Sequence, residues 1–351
     1  MSNITEQWSI ENDLQSILDA TAEIFHSLAG AHIFLTGGTG FIGCWLLESI
    51  KYADTKLQLE IQVTVLTRNY QAFKSKAPHL ATWRNFKFIE GNVSYFKFPD
   101  EDFTHIIHAA TDASASLNEK YPVTMFDTVV TGTHRTLDLA VKNHPCKVLF
   151  LSSGAVYGQQ PYEIERVKED WRGAPDCLDP KAAYAEGKRA AEMLCAVYGK
   201  QYGLQISIAR IFALLGPYLS LDIHFAAGNF IRDAMQNKVV EVNGNGLPYR
   251  SYLYAADLVI WLWHLLQRGE NNKAYNVGSD EAISIRDLAK LTSNLLASGE
   301  YRILGSDDAG WNLGRYVPDT SLIANDLGLT KTVSLQESIL RTALWHGWKG
   351  K

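Results

Sequence analysis

Seven residues, Gly37-Gly38-Thr39-Gly40-Phe41-Ile42-Gly43, constrain this chain more than any others. They follow a short apolar run, His32-Ile-Phe-Leu-Thr36, too short for a helix and bounded by glycine, which reads as a buried strand. Phe41 to Ala53 then reads as a helix. Glycines here let a strand-to-helix turn be tight. They also let backbone approach an anion at the helix N-terminus, where the dipole favours negative charge. Gly38-x-Gly40-x-x-Gly43 and Gly37-x-x-Gly40-x-x-Gly43 both fit the spacing of a dinucleotide pyrophosphate turn. Gly37, Gly40 and Gly43 are therefore cofactor-binding candidates, with Phe41 and Ile42 opening the helix. The competing reading is a tight turn that serves packing alone.

More strand-like runs follow: Ile61-Gln-Val-Thr-Val-Leu66, Phe86-Lys-Phe-Ile-Glu90, His105-Ile-Ile-His108, Lys147-Val-Leu-Phe-Leu-Ser152 and Gln205-Ile-Ser-Ile-Ala-Arg210. Helical stretches fit between them, notably Met125 to Lys142 and Tyr184 to Tyr202. Strands alternating with helices imply an α/β fold, a doubly wound parallel sheet covered on both faces. Residues 1–30 read as an N-terminal helical extension. Leu14, Ile17, Leu18, Thr21, Ile24, Phe25 and Leu28 have helical spacing, for packing on the main domain or for a partner. Residues 31–215 read as the dinucleotide-binding domain, its sheet completed by 252–278. Residues 216–251 and 279–351, short helices and loops, read as a smaller substrate-binding lobe. The apolar stretch holding Trp261, Trp263, Leu265 and Leu266 reads as core.

At 46% hydrophobic and 20% charged, the composition is that of a globular protein with enough chain for a sizeable core. A net charge of -5 argues against a nucleic-acid surface. No apolar run reaches membrane-span length, and the polar N-terminus lacks a signal core, so the expected location is cytoplasmic. Cys44, Cys146, Cys177 and Cys195 are scattered, which suggests neither a metal site nor a disulfide framework.

Tyr184 and Lys188 stand four residues apart, on one face of one helix. An ammonium beside a phenol favours the phenolate and holds its pKa down. Such a phenol can exchange a proton with a sugar hydroxyl at neutral pH. Ser153 ends the fifth strand, at the edge where open α/β sheets bind ligands, and its hydroxyl can orient the substrate hydroxyl beside Tyr184. Lys188 would also hold the nicotinamide ribose. The competing reading is a surface Tyr–Lys pair. At the second strand's tip, Leu66-Thr67-Arg68 carries no acid for the adenosine ribose hydroxyls. Thr67 and Arg68 are cofactor candidates, and Arg68 slightly favours NADP over NAD, unless it is a solvated loop arginine. Asn92, followed by Val93, reads either as an adenine contact or as a turn cap.

Further segments follow in order: His108-Ala109-Ala110, Gly132-Thr133, Ser152-Ser153-Gly-Ala-Val-Tyr157-Gly158, Tyr184-x-x-x-Lys188, Gly216-Pro217, Arg250-Ser-Tyr-Leu-Tyr-Ala-Ala-Asp257 and Tyr275-Asn-Val-Gly278. With the glycine turn, they resemble the extended short-chain dehydrogenase/reductase family, the nucleotide-sugar epimerases and dehydratases, from about His32 to Trp348. The resemblance implies a Rossmann domain with a C-terminal substrate lobe, a tightly held NAD(P), and a nucleoside-diphosphate sugar oxidised at its C4 hydroxyl. It places Ser153, Tyr184 and Lys188 on the catalytic triad, and Gly37, Gly40 and Gly43 on the pyrophosphate turn. His108, Ala109 and Ala110 would line the cofactor cleft. Arg250 falls where the substrate diphosphate is gripped, a task suited to a guanidinium fork; the alternative is an ion pair with Asp257. Asn229 is a substrate candidate or a helix cap, and Asp112, Ser114 and His224 are further substrate candidates. The resemblance also implies a homodimer through a four-helix bundle, with Phe126, Leu137 and Leu139 facing either a second subunit or the core.

Departures from the family pattern narrow the chemistry. Its 4,6-dehydratases carry Asp-Glu directly after the catalytic Ser/Thr, and its decarboxylases a glutamate at the second of those positions. Here Gly154 and Ala155 stand there. Ala213 and Val129 replace asparagines, and Gly187 a serine. The expectation is a C4 epimerase working through a transient 4-keto sugar. Its rivals are a 4-keto-sugar reductase, or a dehydratase or decarboxylase with relocated groups such as Glu165 or Asp112. A non-catalytic NADP sensor or scaffold is the alternative of another class.

Overall fold

A computed structural model describes residues 8–111, 115–222, 226–306 and 314–350. In chain order the main elements are α1 (Ile10–Ser27), β1 (His32–Thr36), α2 (Phe41–Leu57), β2 (Gln62–Thr67), β3 (Phe86–Glu90) and β4 (His105–His108). Then come α3 (Pro122–Lys142), β5 (Lys147–Ser153), α4 (Ala183–Tyr202), β6 (Gln205–Ile211), α5 (Ala226–Met235) and α6 (Ala255–Arg268). The chain closes with β7 (Lys273–Val277), α7 (Ile285–Leu296) and α8 (Leu335–Trp345). The seven strands form one all-parallel sheet in the order β7-β6-β5-β4-β1-β2-β3.

Alternation along the strands sorts side chains onto two faces. Ile33, Leu35, Ile107, Leu149, Leu151 and Ala209 face one apolar layer with α1, α2 and α6. Phe34, Ile106, Val148, Phe150, Ile206 and Ile208 face the other, with α3 and α4. Trp261 and Trp263 are buried in the first layer, as expected of core. α1 packs on α2 and α6, and its apolar stripe is buried from Leu14 to Phe25.

Three sequence expectations need adjusting. α2 runs past Ala53 to Leu57 and stops where Gln58 turns left-handed. α3 starts before Met125 because Pro122 suits the first helical turn, where no backbone N–H is needed. Leu137 and Leu139 are buried in the second layer and cannot face a second subunit, whereas Phe126 keeps an exposed edge.

Downstream of β6, residues from Leu215 to Ala343 build a separate apolar cluster around α5, α7 and α8. It contains short strands that apolar patterning did not reveal. Residues 249–250 pair with 283–284 and with 315–316, and residues 240–242 pair with 301–303. The 249–250 and 315–316 pair reaches back to the C-terminal edge of the main sheet, where Tyr316 packs against Phe212.

Candidate active site

Gly37 has a positive φ of 73°, and a Cβ there would lie 2.6 Å from the Ala109 carbonyl, so the turn packs directly on the chain leaving β4. A Cβ at Gly43 would lie 2.4 Å from Gly37 O, which is why helix and turn can close. Gly40 is the N-cap of α2 and offers no side-chain cap. The first-turn amides at Phe41 and Ile42 are thus left to an anion, and the Gly40 Cβ position meets only Gly37 O, at 3.3 Å. This cradle fits a dinucleotide pyrophosphate.

His108 is buried between Thr36 Oγ1 (2.7 Å from Nδ1) and Thr133 Oγ1 (3.0 Å from Nε2). Thr133 spends its own proton on Val129 O, so it accepts from Nε2–H, and Nδ1 accepts from Thr36. Thr36 Oγ1 in turn accepts the Ala110 N–H. Burial, then the Lys188 charge, push the His108 pKa down to about 3. His108 is a neutral strut that fixes Ala109 and Ala110 beside the glycine turn.

Thr67 ends β2, buried, and its Oγ1 accepts the Asn69 N–H. Arg68 follows, exposed. Glu90 is the register partner of Thr67 and takes the Tyr70 N–H. Asn92 Oδ1 accepts the Ser94 N–H at 2.9 Å, the turn-capping arrangement. Val93 is buried against Gly132, whose Cβ position lies 2.7 Å from it.

Ser153, the last residue of β5, and Tyr184, in the first turn of α4, come together. Ala155 N–H donates to Ser153 Oγ at 3.2 Å, and Tyr184 N–H donates to Asn118 Oδ1 at 3.0 Å. Lys188 is buried, and its Nζ donates to Leu151 O at 2.6 Å, over the Phe150 ring. The expected ammonium–phenol coupling is therefore not what this structure shows. Burial pushes the Tyr184 phenol up, and the influence that opposes it is a hydrogen bond with Ser153. Burial lowers Lys188 to about 7, while the Glu192 carboxylate one turn on works against that. Behind the pair, Ser152 Oγ donates to Glu192 at 2.6 Å and Arg210 forks onto the same carboxylate at 2.8 and 3.0 Å. Arg210 also donates to Tyr157 Oη, which donates to Asn276.

Sequence reasoning missed Tyr316. Its hydroxyl stands 3.4 Å from Ser153 Oγ, and its ring packs tilted against Phe212, with centroids 4.6 Å apart. No local signal marks it, because the pairing of 315–316 with 249–250 brings it in. That pairing makes Tyr316 the register partner of Arg250. Arg250 donates to Tyr249 O and Gly314 O, and not to Asp257, whose carboxylate is taken by Thr332 and Val333. Asn229 lies inside the first turns of α5 and caps nothing; its carbonyl accepts from Arg232. Asp112, Ser114 and His224 lie outside the described residues.

The departures acquire geometry. A Cβ at Gly154 would lie 2.6–2.8 Å from the Phe212 ring. A Cβ at Gly187 would lie 3.2 Å from Val129 Cβ, so two of the departures touch each other. Glu165 is exposed on a bend. Among the described residues no cluster has the makings of a metal site, and no helix is long and apolar enough to cross a membrane.

Residues 33–278 match the profile described as the NAD dependent epimerase/dehydratase family. UDP-glucuronic acid decarboxylase 1 of Danio rerio is 31% identical over 88% of this chain and 71% of its own length. UDP-glucuronic acid decarboxylase 6 of Arabidopsis thaliana is 30% identical over 88% of this chain and 86% of its own. UDP-glucose 4-epimerase of Thermotoga maritima, solved with UDP-glucose, superposes with a TM-score of 0.73 at 22% identity, over 90% of this chain and 98% of that one. That last likeness shows the fold.

Proposed function

This chain belongs to the NAD dependent epimerase/dehydratase family, and we propose that it is a nucleotide-sugar C4 epimerase working through a transient 4-keto sugar. The observation that carries the reading is the site itself. Hydroxyls meet at the end of β5, and the position where a dehydratase carboxylate would stand is filled by the Phe212 ring. Such a site supports proton exchange with a sugar hydroxyl and lacks the acid–base pair that water elimination requires.

In the proposed mechanism the glycine turn and the first-turn amides of α2 hold the cofactor pyrophosphate, with Ala109 and Ala110 flooring the cleft. A bound NAD(P) supplies the reversible two-electron exchange at C4. Ser153 orients the C4 hydroxyl, and Tyr184 takes its proton and later returns it. Lys188, released from Leu151 O, holds the nicotinamide ribose and supplies positive charge near the phenol. Arg250 grips the diphosphate from the smaller lobe of 216–251 and 279–351, with Asn229 nearby on the same lobe. The ketone turns over between the two exchanges, which inverts C4. The family description names NAD, while the β2 tip, with Arg68 and no acid, favours a 2′-phosphate. Exposed Val123 and Phe126 on α3, with Met193 and Val197 on α4, are the surface we propose for a homodimer.

A second reading is decarboxylation of a nucleotide-linked glucuronic acid, favoured by the names of the relatives. One experiment separates the readings. The protein is incubated with UDP-glucose, UDP-galactose and UDP-glucuronic acid, and products, carbon dioxide and reduced cofactor are measured. Epimerisation gives C4 isomers with no carbon dioxide and no net cofactor consumption. Release of carbon dioxide identifies the decarboxylase. A reductase leaves all three sugars unchanged and consumes added NAD(P)H in stoichiometric amounts only when a nucleotide-linked 4-keto sugar is supplied. Tyr184→Phe should abolish turnover and spare cofactor retention. Full activity in that variant refutes the proton-exchange role.

A further inference from the structure

We propose that Asn118 is a positioning residue for the proton-exchanging Tyr184, capping from another segment the first turn of the helix that carries it. The proposal rests on the reading of Tyr184 given above. It begins at the start of α4, where the first backbone N–H groups have no carbonyl one turn back to reach. A helix normally answers this with an N-cap side chain that accepts the N–H of its second or third residue. Ala182 is the N-cap of α4 and has no such side chain. Tyr184 is the second residue of α4, and its N–H donates instead to Asn118 Oδ1 at 3.0 Å, from 66 residues away in the chain.

The other end of the same amide is also used. Asn118 Nδ2 donates to Lys181 O at 2.7 Å, while Asp179 Oδ1 accepts the Lys181 N–H at 2.9 Å. Lys181 O can only accept and the Tyr184 N–H can only donate, so the two partners fix which way the Asn118 amide faces. One side chain thus grips both the 3-10 turn Pro180–Ala182 and the first turn of α4. An aspartate could take the Tyr184 N–H but could not serve Lys181 O, and an alanine could do neither.

The cap is itself anchored. Asn118 lies on the helical segment Ala115–Lys120, whose Leu117 packs against the second apolar layer and accepts, at its carbonyl, the Tyr121 N–H just before α3. The start of α4 is thereby held to the body of the domain rather than only to the loop that leads into it. This bears on the chemistry because the Tyr184 phenol ends a long side chain that leaves the capped residue. A small tilt of the first turn carries the hydroxyl away from the C4 hydroxyl it must meet, and misplacement by about 1 Å costs on the order of a hundredfold in rate. Lys188, a turn further on and bonded to Leu151 O, depends less on the cap.

The test compares Asn118→Ala and Asn118→Asp with the wild type, each as the full chain with NAD bound. Expected for Asn118→Ala is a kcat about ten- to a hundredfold lower on the nucleotide sugar turned over in the assay above, with KM and NAD retention unchanged. The melting temperature should stay within about 4 °C of the wild type. Hydrogen exchange, which needs no turnover, should be about tenfold faster at the Tyr184 amide and unchanged in β4 and β5. Asn118→Asp keeps the acceptor for the Tyr184 N–H and should recover most of both losses. Wild-type kcat in Asn118→Ala overturns the positioning role, and unchanged exchange at Tyr184 overturns the cap. A rate loss with faster exchange throughout β4 and β5 assigns Asn118 to general stability, and Asn118→Asp no better than Asn118→Ala denies the acceptor; either result also overturns the proposal. Full activity in Tyr184→Phe overturns the Tyr184 reading instead, while the exchange result still decides the cap.

Discussion

Replacing Gly154 with alanine should destabilise this protein, against the usual sign for such a change. Gly154 opens a short 3-10 turn after Ser153, and its φ lies outside the left-handed region, so an alanine backbone fits. On backbone entropy alone, Gly→Ala at such a position stabilises by about 0.4–1 kcal/mol. The new Cβ, however, would sit 2.6 Å from Cζ, 2.7 Å from Cε1 and 2.8 Å from Cε2 of Phe212. Three contacts to one rigid ring cannot be relieved by a rotamer change. Phe212 is buried, packed tilted against Tyr316 at 4.6 Å, and its Cβ lies 2.9 Å from where a side chain at Gly278 would begin. Overpacking of this kind costs about 1–3 kcal/mol, so the net loss is about 1–2 kcal/mol. Urea unfolding should show the lower midpoint without a change of slope. Phe212→Ala alone should cost about 3–5 kcal/mol by opening a cavity. The double variant should cost about 1–2 kcal/mol less than the sum, because the alanine methyl no longer meets a ring. A Gly154→Ala midpoint at or above that of the wild type refutes the steric argument, and with it the reason a carboxylate is excluded here.

The Asp13 carboxylate on α1 accepts from Tyr254 (2.5 Å), Arg341 (2.6 Å) and Trp8 (3.1 Å), so Asp13→Ala should cost about 3–5 kcal/mol in denaturant unfolding. Asp13→Asn, which keeps an acceptor and sheds the charge that burial penalises, should cost less. Lys188 is lowered from 10.5 to about 7, so between those values the unfolded chain binds a proton that the folded one has shed. Stability of the cofactor-free protein should therefore gain a rising component from pH 7 toward 9, which Lys188→Met removes; an unchanged slope in that variant refutes the shift.

What the sequence made legible was local. The glycine turn, Ser153 and the Tyr184–Lys188 spacing all sit where a single strand–turn–helix unit places them, and short-range spacing reports such units well. Strand alternation likewise sorted Ile33 and Leu35 from Phe34 onto opposite faces. The illegible part was what distant segments bring. Tyr316 reaches Ser153 through a two-residue strand whose partner is Arg250, and a pair so short leaves no periodic trace. Lys188 stands on the same helix as Tyr184, but its Nζ reaches Leu151 O rather than the phenol. Spacing sets which face a side chain leaves from; the nearest acceptor decides where its end goes.

The two glycine departures point in the same chemical direction. Gly154 sits under Phe212 and Gly187 sits on Val129, so at both places apolar packing occupies space that a polar side chain would need. Proton traffic is thereby left to hydroxyls, which suits oxidation at C4 and is poor for expelling water from C5 and C6. Decarboxylation is affected less. Oxidising C4 of a glucuronic acid places a ketone β to the carboxylate, and such an acid loses carbon dioxide into the ketone without help from a base. On the proposed reading, the same hydroxyl site can begin either reaction, and C6 of the bound sugar would choose between them. A hydroxymethyl there leaves only return of the hydrogen and inversion, while a carboxylate opens the route named for the relatives at 30–31% identity. The outcome with UDP-glucuronic acid is therefore the discriminating measurement, more than any substitution at Gly154 or Ala155.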